Sequence, residues 1–253
     1  MAVAVLTRDS FDAQPYGAAL APLGLSAVAM PVTKPAPAAD PDALVRALGR
    51  GSYDVIMVAS PRAAHELARA VAAATPLRAT MLDMPDVWAV GPATKRALDI
   101  AKLPAQLPAN VKDGAELARM LVAKMKLRGK RVLVPRAEEG RTEAIEILRA
   151  AGAEVVDVVA YRTVAVAADE PSVQEGAQLL RDGNALLCCV FAPSQVAALS
   201  AIVGPLAKLS TTFAAIGETT ALALREAGVD RLAVADLPTP EGMAQAVRPV
   251  YPA

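Results

Sequence analysis

The sequence predicts an α/β protein of two similar units, each a parallel sheet covered by helices on both faces. Three observations predict it. Apolar runs of strand length alternate with alanine-rich segments of helical length along the chain. The runs are almost continuously apolar, the pattern of strands buried on both faces rather than one. And the chain repeats itself at a constant offset, Arg8 falling on Arg136 and Gly24 on Gly152.

Taken in order, residues 2–6, 55–59, 87–90, 131–134, 155–160, 186–191, 213–216 and 232–235 read as strands. Residues 63–74, 116–126 and 142–150 read as helices, since alanine is the best helix former. Residues 4–33 align without a gap on 132–161, and each copy reads strand, arginine, helix, glycine, strand. The glycine suits the left-handed residue that closes a helix. A second pair follows: VASPRAAHEL (58–67) matches VFAPSQVAAL (190–199), and VGPATKRAL (90–98) matches IGETTALAL (216–224). KDGAEL at 112 resembles PEGMAQ at 240, aligning Gly114 with Gly242. The order is therefore A, B, A′, B′, and periodicity alone leaves open whether A packs with B or with B′. Two stretches are suited to join the units: residues 32–41, whose prolines favour extended chain, and residues 161–171, which begin at Tyr161.

Composition excludes several classes. The 26 Lys and Arg balance the 26 Asp and Glu, which removes the electrostatic case for nucleic acid or an anionic membrane surface. The apolar run at 3–6 is ended by Arg8 and Asp9, so no secretory signal is expected. Residues 183–207 carry no charge, but Pro193, Ser194 and Gln195 interrupt them, which favours strand, turn and helix over a membrane span. Cys188 and Cys189 are adjacent, rarely a disulfide geometry. They read as inert core thiols of a reducing compartment, hence a cytoplasmic location. A single histidine, His65, gives no basis for a histidine-built zinc or haem site.

Ligands of open parallel sheets gather at the carboxyl ends of the strands. Arg8 and Arg136 each follow a strand, as do Ser60 with Arg62, Ser194, Thr94 behind Gly91, and Thr219 with Thr220 behind Gly217. Helix N-termini there present free N–H groups and the positive dipole end. Each element also has a plainer reading: the hydroxyls as helix caps, Arg8 and Arg136 as ion-pair partners, Arg141 and Arg162 as solvated. Together they fit a cleft for a polyanionic small molecule. Phosphate lacks its GxxxxGK[ST] or GxGxxG loop, whereas a substrate with several carboxylates fits as well. With no GxSxG and one histidine, chemistry rests on positioning, backbone dipoles and hydroxyl donors such as Tyr161.

VLTR, VASPRAA, VGPATKRAL, VLVPRAEEGR, GAEVVDVVAYRTV, VFAPSQVAAL, AIGETTALALREAG and PTPEGMAQAV run in this order through nearly the whole chain. On these motifs the chain resembles the uroporphyrinogen-III synthase family. The resemblance implies two α/β domains, residues 1–31 with 166–253 and residues 32–165, joined by a two-stranded antiparallel connector, with the active site in the interdomain cleft. It implies a monomeric lyase without cofactor or metal. Linear hydroxymethylbilane, which carries eight carboxylates, loses its terminal hydroxyl as water. The resulting azafulvene leads through a spiro intermediate on ring D to uroporphyrinogen III with ring D inverted. Tyr161 matches a cleft-facing tyrosine and is expected to donate to the departing hydroxyl. Arg8, Ser60, Arg62, Thr94, Arg136, Ser194, Thr219 and Thr220 are expected to bind substrate. Ala192 stands where the family has serine, so a hydroxyl contact is lost there. Two other readings are a non-catalytic two-lobed tetrapyrrole-binding module and a nucleotide-using doubly wound enzyme.

Overall fold

The computed structural model describes residues 2–74 and 85–250. In its first part the order is β1 (Ala2–Leu6), α1 (Ser10–Leu20), β2 (Leu25–Ala29), β3 (Thr33–Pro37), α2 (Ala43–Gly49), β4 (Val55–Val58) and α3 (Pro61–Ala74). Then come β5 (Asp86–Ala89), α4 (Gly91–Ile100), α5 (Gly114–Lys124), β6 (Arg131–Ala137), α6 (Glu143–Ala150) and β7 (Glu154–Ala165). The last part holds α7 (Pro171–Arg181), β8 (Ala185–Val190), α8 (Pro193–Val203), β9 (Thr212–Ala215), α9 (Glu218–Glu226), β10 (Leu232–Val234) and α10 (Pro240–Val247).

The chain forms two compact units, Met1–Lys34 with Val164–Ala253, and Pro35–Thr163. The first unit's sheet has the order β10-β9-β8-β1-β2 and the second's β3-β7-β6-β4-β5. Adjacent strands pair in parallel from β2 through β10 in one sheet and from β7 through β5 in the other. The repeat is visible in the topology, with β1, β2, β8 and β9 taking the places of β6, β7, β4 and β5. It extends to register: Leu6 lies opposite Ala29, and Val134 opposite Asp157.

Each sheet is buried by a separate apolar cluster on either face, as parallel strands require. In the first unit Val5, Cys188 and Phe213 share one face, while Leu6, Cys189 and Ala214 share the other. The adjacent cysteines therefore point to opposite sides of β8, and both thiols are free. Burial pushes the Cys188 thiol up to about 12 and raises that of Cys189 as well. The uncharged run at 183–207 resolves into β8, a turn and the 11-residue α8. No helix among the described residues is long and apolar enough to cross a membrane.

The strand expected to end near residue 160 continues to Ala165. It has β3 as a neighbour as well as β6, and the Val166 N–H donates to Val32 O at 2.9 Å just beyond it. The chain crosses between the units at two places, inside β3 and inside β7. Gly24 and Gly152 hold φ of 76° and 87°, the left-handed residues after helices that the repeat suggested.

Gly114 and Gly242 align in sequence but do different work. Gly114 opens α5, behind Asp113, whose carboxylate accepts the Glu116 N–H at 2.9 Å. Gly242 is the third residue of α10, donating its N–H to Thr239 Oγ1 at 3.0 Å. A Cβ on Gly242 would lie 2.2 Å from the Leu237 carbonyl oxygen, whereas one on Gly114 meets Ala144 Cβ at an ordinary 3.6 Å. Gly242→Ala is therefore expected to cost about 2 kcal/mol or more through backbone overpacking. Gly114→Ala should change stability by less than about 1 kcal/mol. Urea denaturation of the two variants checks the contrast.

Candidate functional site

At the carboxyl edge of the second sheet, β4 runs into Ser60 at the start of α3. Ser60 Oγ accepts the Ala63 N–H at 3.1 Å, capping the helix. The same oxygen shares a 3.0 Å hydrogen bond with the phenol of Tyr161. A bulge places that phenol. β6 and β7 stay in register to Arg136 opposite Val159, after which Ala137 lies opposite Tyr161, leaving Ala160 as the extra residue. Strict alternation would send Ala160 and Tyr161 to opposite faces. Instead both pack on the cluster of Val58, Ala63 and Val158, the re-aiming of a side chain that bulges produce.

Ser60 and Tyr161 line a cavity of about 210 Å³ together with Asp113, Gly114, Arg136 and Arg141. The first residues of α5 form part of its wall, so one helix N-terminus contributes N–H groups and positive potential. Arg141 is exposed and, among the described residues, has no ion-pair partner. Arg136 lines the cavity without being free. Its Nε and Nη2 donate to the two carboxylate oxygens of Asp157 at 2.7 and 3.1 Å, and Nη1 donates to the carbonyls of Ala137 and Glu138. This two-pronged, partly buried pair makes Arg136 the ion-pair partner of the plainer reading. Arg62 is tied along its own helix to Glu66 at 3.1 Å, and its Nε is buried without a partner. Thr94 is buried in the first turn of α4, behind Gly91. Arg162 is exposed.

The carboxyl edge of the first sheet gathers the remaining residues. Ser194 and Thr219 are exposed in the first turns of α8 and α9, and Thr220 is buried. Arg8 leaves β1 with its guanidinium carbon 4.3 Å from the Phe191 ring centre and 5.2 Å from that of Tyr16. The two rings meet edge to face at 4.7 Å. Burial raises the Tyr16 phenol, and the adjacent Arg8 charge offsets part of that rise.

Gln195 was not expected. Its Oε1 accepts from Thr7 Oγ1 at 2.7 Å and from the Phe191 N–H at 2.8 Å, and its Nε2 donates to Thr7 O at 2.9 Å. Thr7 Oγ1 also approaches Cys189 O at 3.0 Å. This buried amide ties the end of β1 to the end of β8 and fixes the backbone on which Arg8 and Phe191 stand. The available signal was an amide directly after Pro193-Ser194, where a helix start leaves backbone groups unpaired.

The structure thus brings Ser60, Arg136 and Tyr161 to one cavity and holds Arg62 and Thr94 at the same sheet edge. Arg8, Ser194, Thr219 and Thr220 lie on the other sheet's edge. A phenol hydrogen-bonded to a hydroxyl, beside a helix N-terminus, can donate to a leaving oxygen and stabilise negative charge.

The family model described as uroporphyrinogen-III synthase HemD matches residues 14–245. Two solved structures are similar over the whole length. A mutant uroporphyrinogen III synthase from the extremely thermophilic bacterium Thermus thermophilus is 21% identical, with 98% of each chain covered and a TM-score of 0.56. Uroporphyrinogen-III synthetase from Helicobacter pylori is 17% identical, with 99% of this chain and 100% of that chain covered and a TM-score of 0.62. At these identities the likeness is one of fold. No curated protein matches the chain.

The Arg136–Asp157 pair predicts where a loss at that position is felt. Arg136→Gln leaves a partly buried carboxylate unpaired and should cost about 2 kcal/mol of stability. Urea denaturation measures the loss, and substrate KM should stay near the wild-type value in the fraction that folds.

Proposed function

The chain belongs to the uroporphyrinogen-III synthase family, and we propose that its chemistry runs through the hydroxyl pair of Tyr161 and Ser60. The reaction is the cyclisation of linear hydroxymethylbilane to uroporphyrinogen III in tetrapyrrole biosynthesis, with loss of water and inversion of ring D. The enzyme is a lyase. The observation that carries the proposed roles is the 3.0 Å contact between Tyr161 and Ser60 on the cavity at the carboxyl edge.

The first bond to break joins the terminal methylene of the substrate to its hydroxyl. Electrons come from the attached pyrrole, whose nitrogen lone pair pushes the hydroxyl out and leaves an azafulvene. Tyr161 donates its O–H to the departing oxygen, which leaves as water. Ser60 holds the phenol in place and is itself held by the Ala63 N–H. Attack by the substituted carbon of ring D on the azafulvene methylene gives the spiro intermediate. Fragmentation and reclosure then turn ring D over, and the proton that ring D sheds on regaining aromaticity returns to the Tyr161 phenolate. The protein need not supply electrons at any step, so its work is to fold the chain, exclude water and position one proton donor. The small cavity beside Tyr161 suits the reacting end, while helix N-termini and arginines suit the carboxylates. The same reading makes the protein a cytoplasmic monomer acting on a small polycarboxylate.

The test supplies hydroxymethylbilane, oxidises the products and separates isomers I and III. Isomer III is expected, and isomer I alone, as in spontaneous closure, would remove the activity. Tyr161→Phe should lower kcat by about 10- to 100-fold while costing only about 1 kcal/mol of stability. An unchanged kcat would reduce Tyr161 to a structural contact.

A further inference from the structure

The two arginines aligned by the internal repeat have exchanged partners. Arg136 at the end of β6 is closed by Asp157 from β7. The residue at the same register in the first unit is Ala29, opposite Leu6 as Asp157 is opposite Val134. Arg8 therefore has no carboxylate waiting across the strand. Among the described residues none lies within ion-pairing distance of it. The adjacent Asp9 uses Oδ1 to cap α1, accepting the N–H groups of Phe11 and Asp12.

Something else holds Arg8 in place. Phe191 and Tyr16 lie beneath its guanidinium, and the aligned residues of the second unit are Ala59 and Ala144. One unit has a carboxylate with two alanines, and the other has an alanine with two aromatic rings. Aromatic faces orient a guanidinium while leaving its in-plane N–H donors unused. The Gln195 network fixes the backbone of both Thr7 and Phe191, so the platform is rigid on both sides. A planar fork of free donors on a rigid platform matches the geometry of a carboxylate.

We infer that Arg8 is a carboxylate receptor: its stacked, unpaired guanidinium takes one carboxylate side chain of the substrate and sets its position. This rests on the proposed synthase reading for the identity of the substrate, but the chemistry recognised is that of any multiply carboxylated small molecule. Arg136, its aligned counterpart, already has donors engaged by Asp157 and two backbone carbonyls.

The test uses the full-length protein as wild type, Arg8→Gln and Arg8→Lys. Binding is read by fluorescence titration with uroporphyrin III, an octacarboxylate, and turnover with hydroxymethylbilane. Arg8→Gln should weaken uroporphyrin binding and raise KM by about tenfold or more. Its kcat and melting temperature should stay near wild type, the signature of lost uniform binding. Arg8→Lys keeps the charge but not the fork and should recover only part of the loss. Wild-type binding and KM in Arg8→Gln would overturn the inference, as would a fall in kcat at constant KM. If the wild type bound uroporphyrin through Arg8 yet formed no isomer III, the receptor would stand and the synthase reading would fall. A wild type that neither binds uroporphyrin nor forms isomer III would sink both.

Discussion

Val5 and Leu6 in β1, like Val132 and Leu133 in β6, have no solvent-exposed surface. A central strand that is dry on both faces must carry apolar residues at every position and must be covered by helices on both sides. Those helices supply the crossovers that parallel neighbours need, so the alternation of elements along the chain follows from the dryness of two short strands. Polar chemistry is displaced as well. It collects mostly where strands end and helices begin, and where it enters a strand, as at Asp157, it is paired.

One scaffold used twice has produced two unlike edges. The second unit pairs its arginine with a carboxylate and hydrogen-bonds Ser60 to Tyr161. The first unit has Ala192 and Thr33 at the positions aligned with those two residues and keeps its arginine stacked and unpaired. The differences here amount to a few side chains at matched register positions on four strands that keep the same order.

The fold was largely legible in the sequence because its signals are local: unbroken apolar runs, alanine-rich helices and a glycine after each A-type helix. The candidate residues were legible as a set of strand ends. What sequence reading could not see was pairing across strands. Asp157 lies 21 residues from Arg136, inside the apolar run VVDVVA, and only the β6–β7 register makes them partners. A lone carboxylate in a buried strand is itself a sign that a cation waits nearby, and that sign was available. The bulge at Ala160 was not, since the apolar residues before it show no alternation against which an extra residue would stand out. Gln195 was masked by the hydroxyl of its neighbour Ser194, which looked the better ligand yet lies exposed.

The two crossings of the chain, inside β3 and β7, also impose an order of assembly on synthesis. The second unit is contiguous, from Pro35 to Thr163, and every strand and helix it needs has emerged once that stretch clears the ribosome. The first unit is split around it. β1 leaves first but has no neighbour on its inner edge until β8 at Ala185, and the Thr7 hydroxyl waits for a carbonyl 182 residues away. At about 5–20 residues per second, one edge of an apolar strand that β2 covers only on the other side stays unpaired for on the order of ten seconds or more. The N-terminal segment is thus the part of the nascent chain that most needs shielding, and the β1–β8 pairing is the step that ends its exposure.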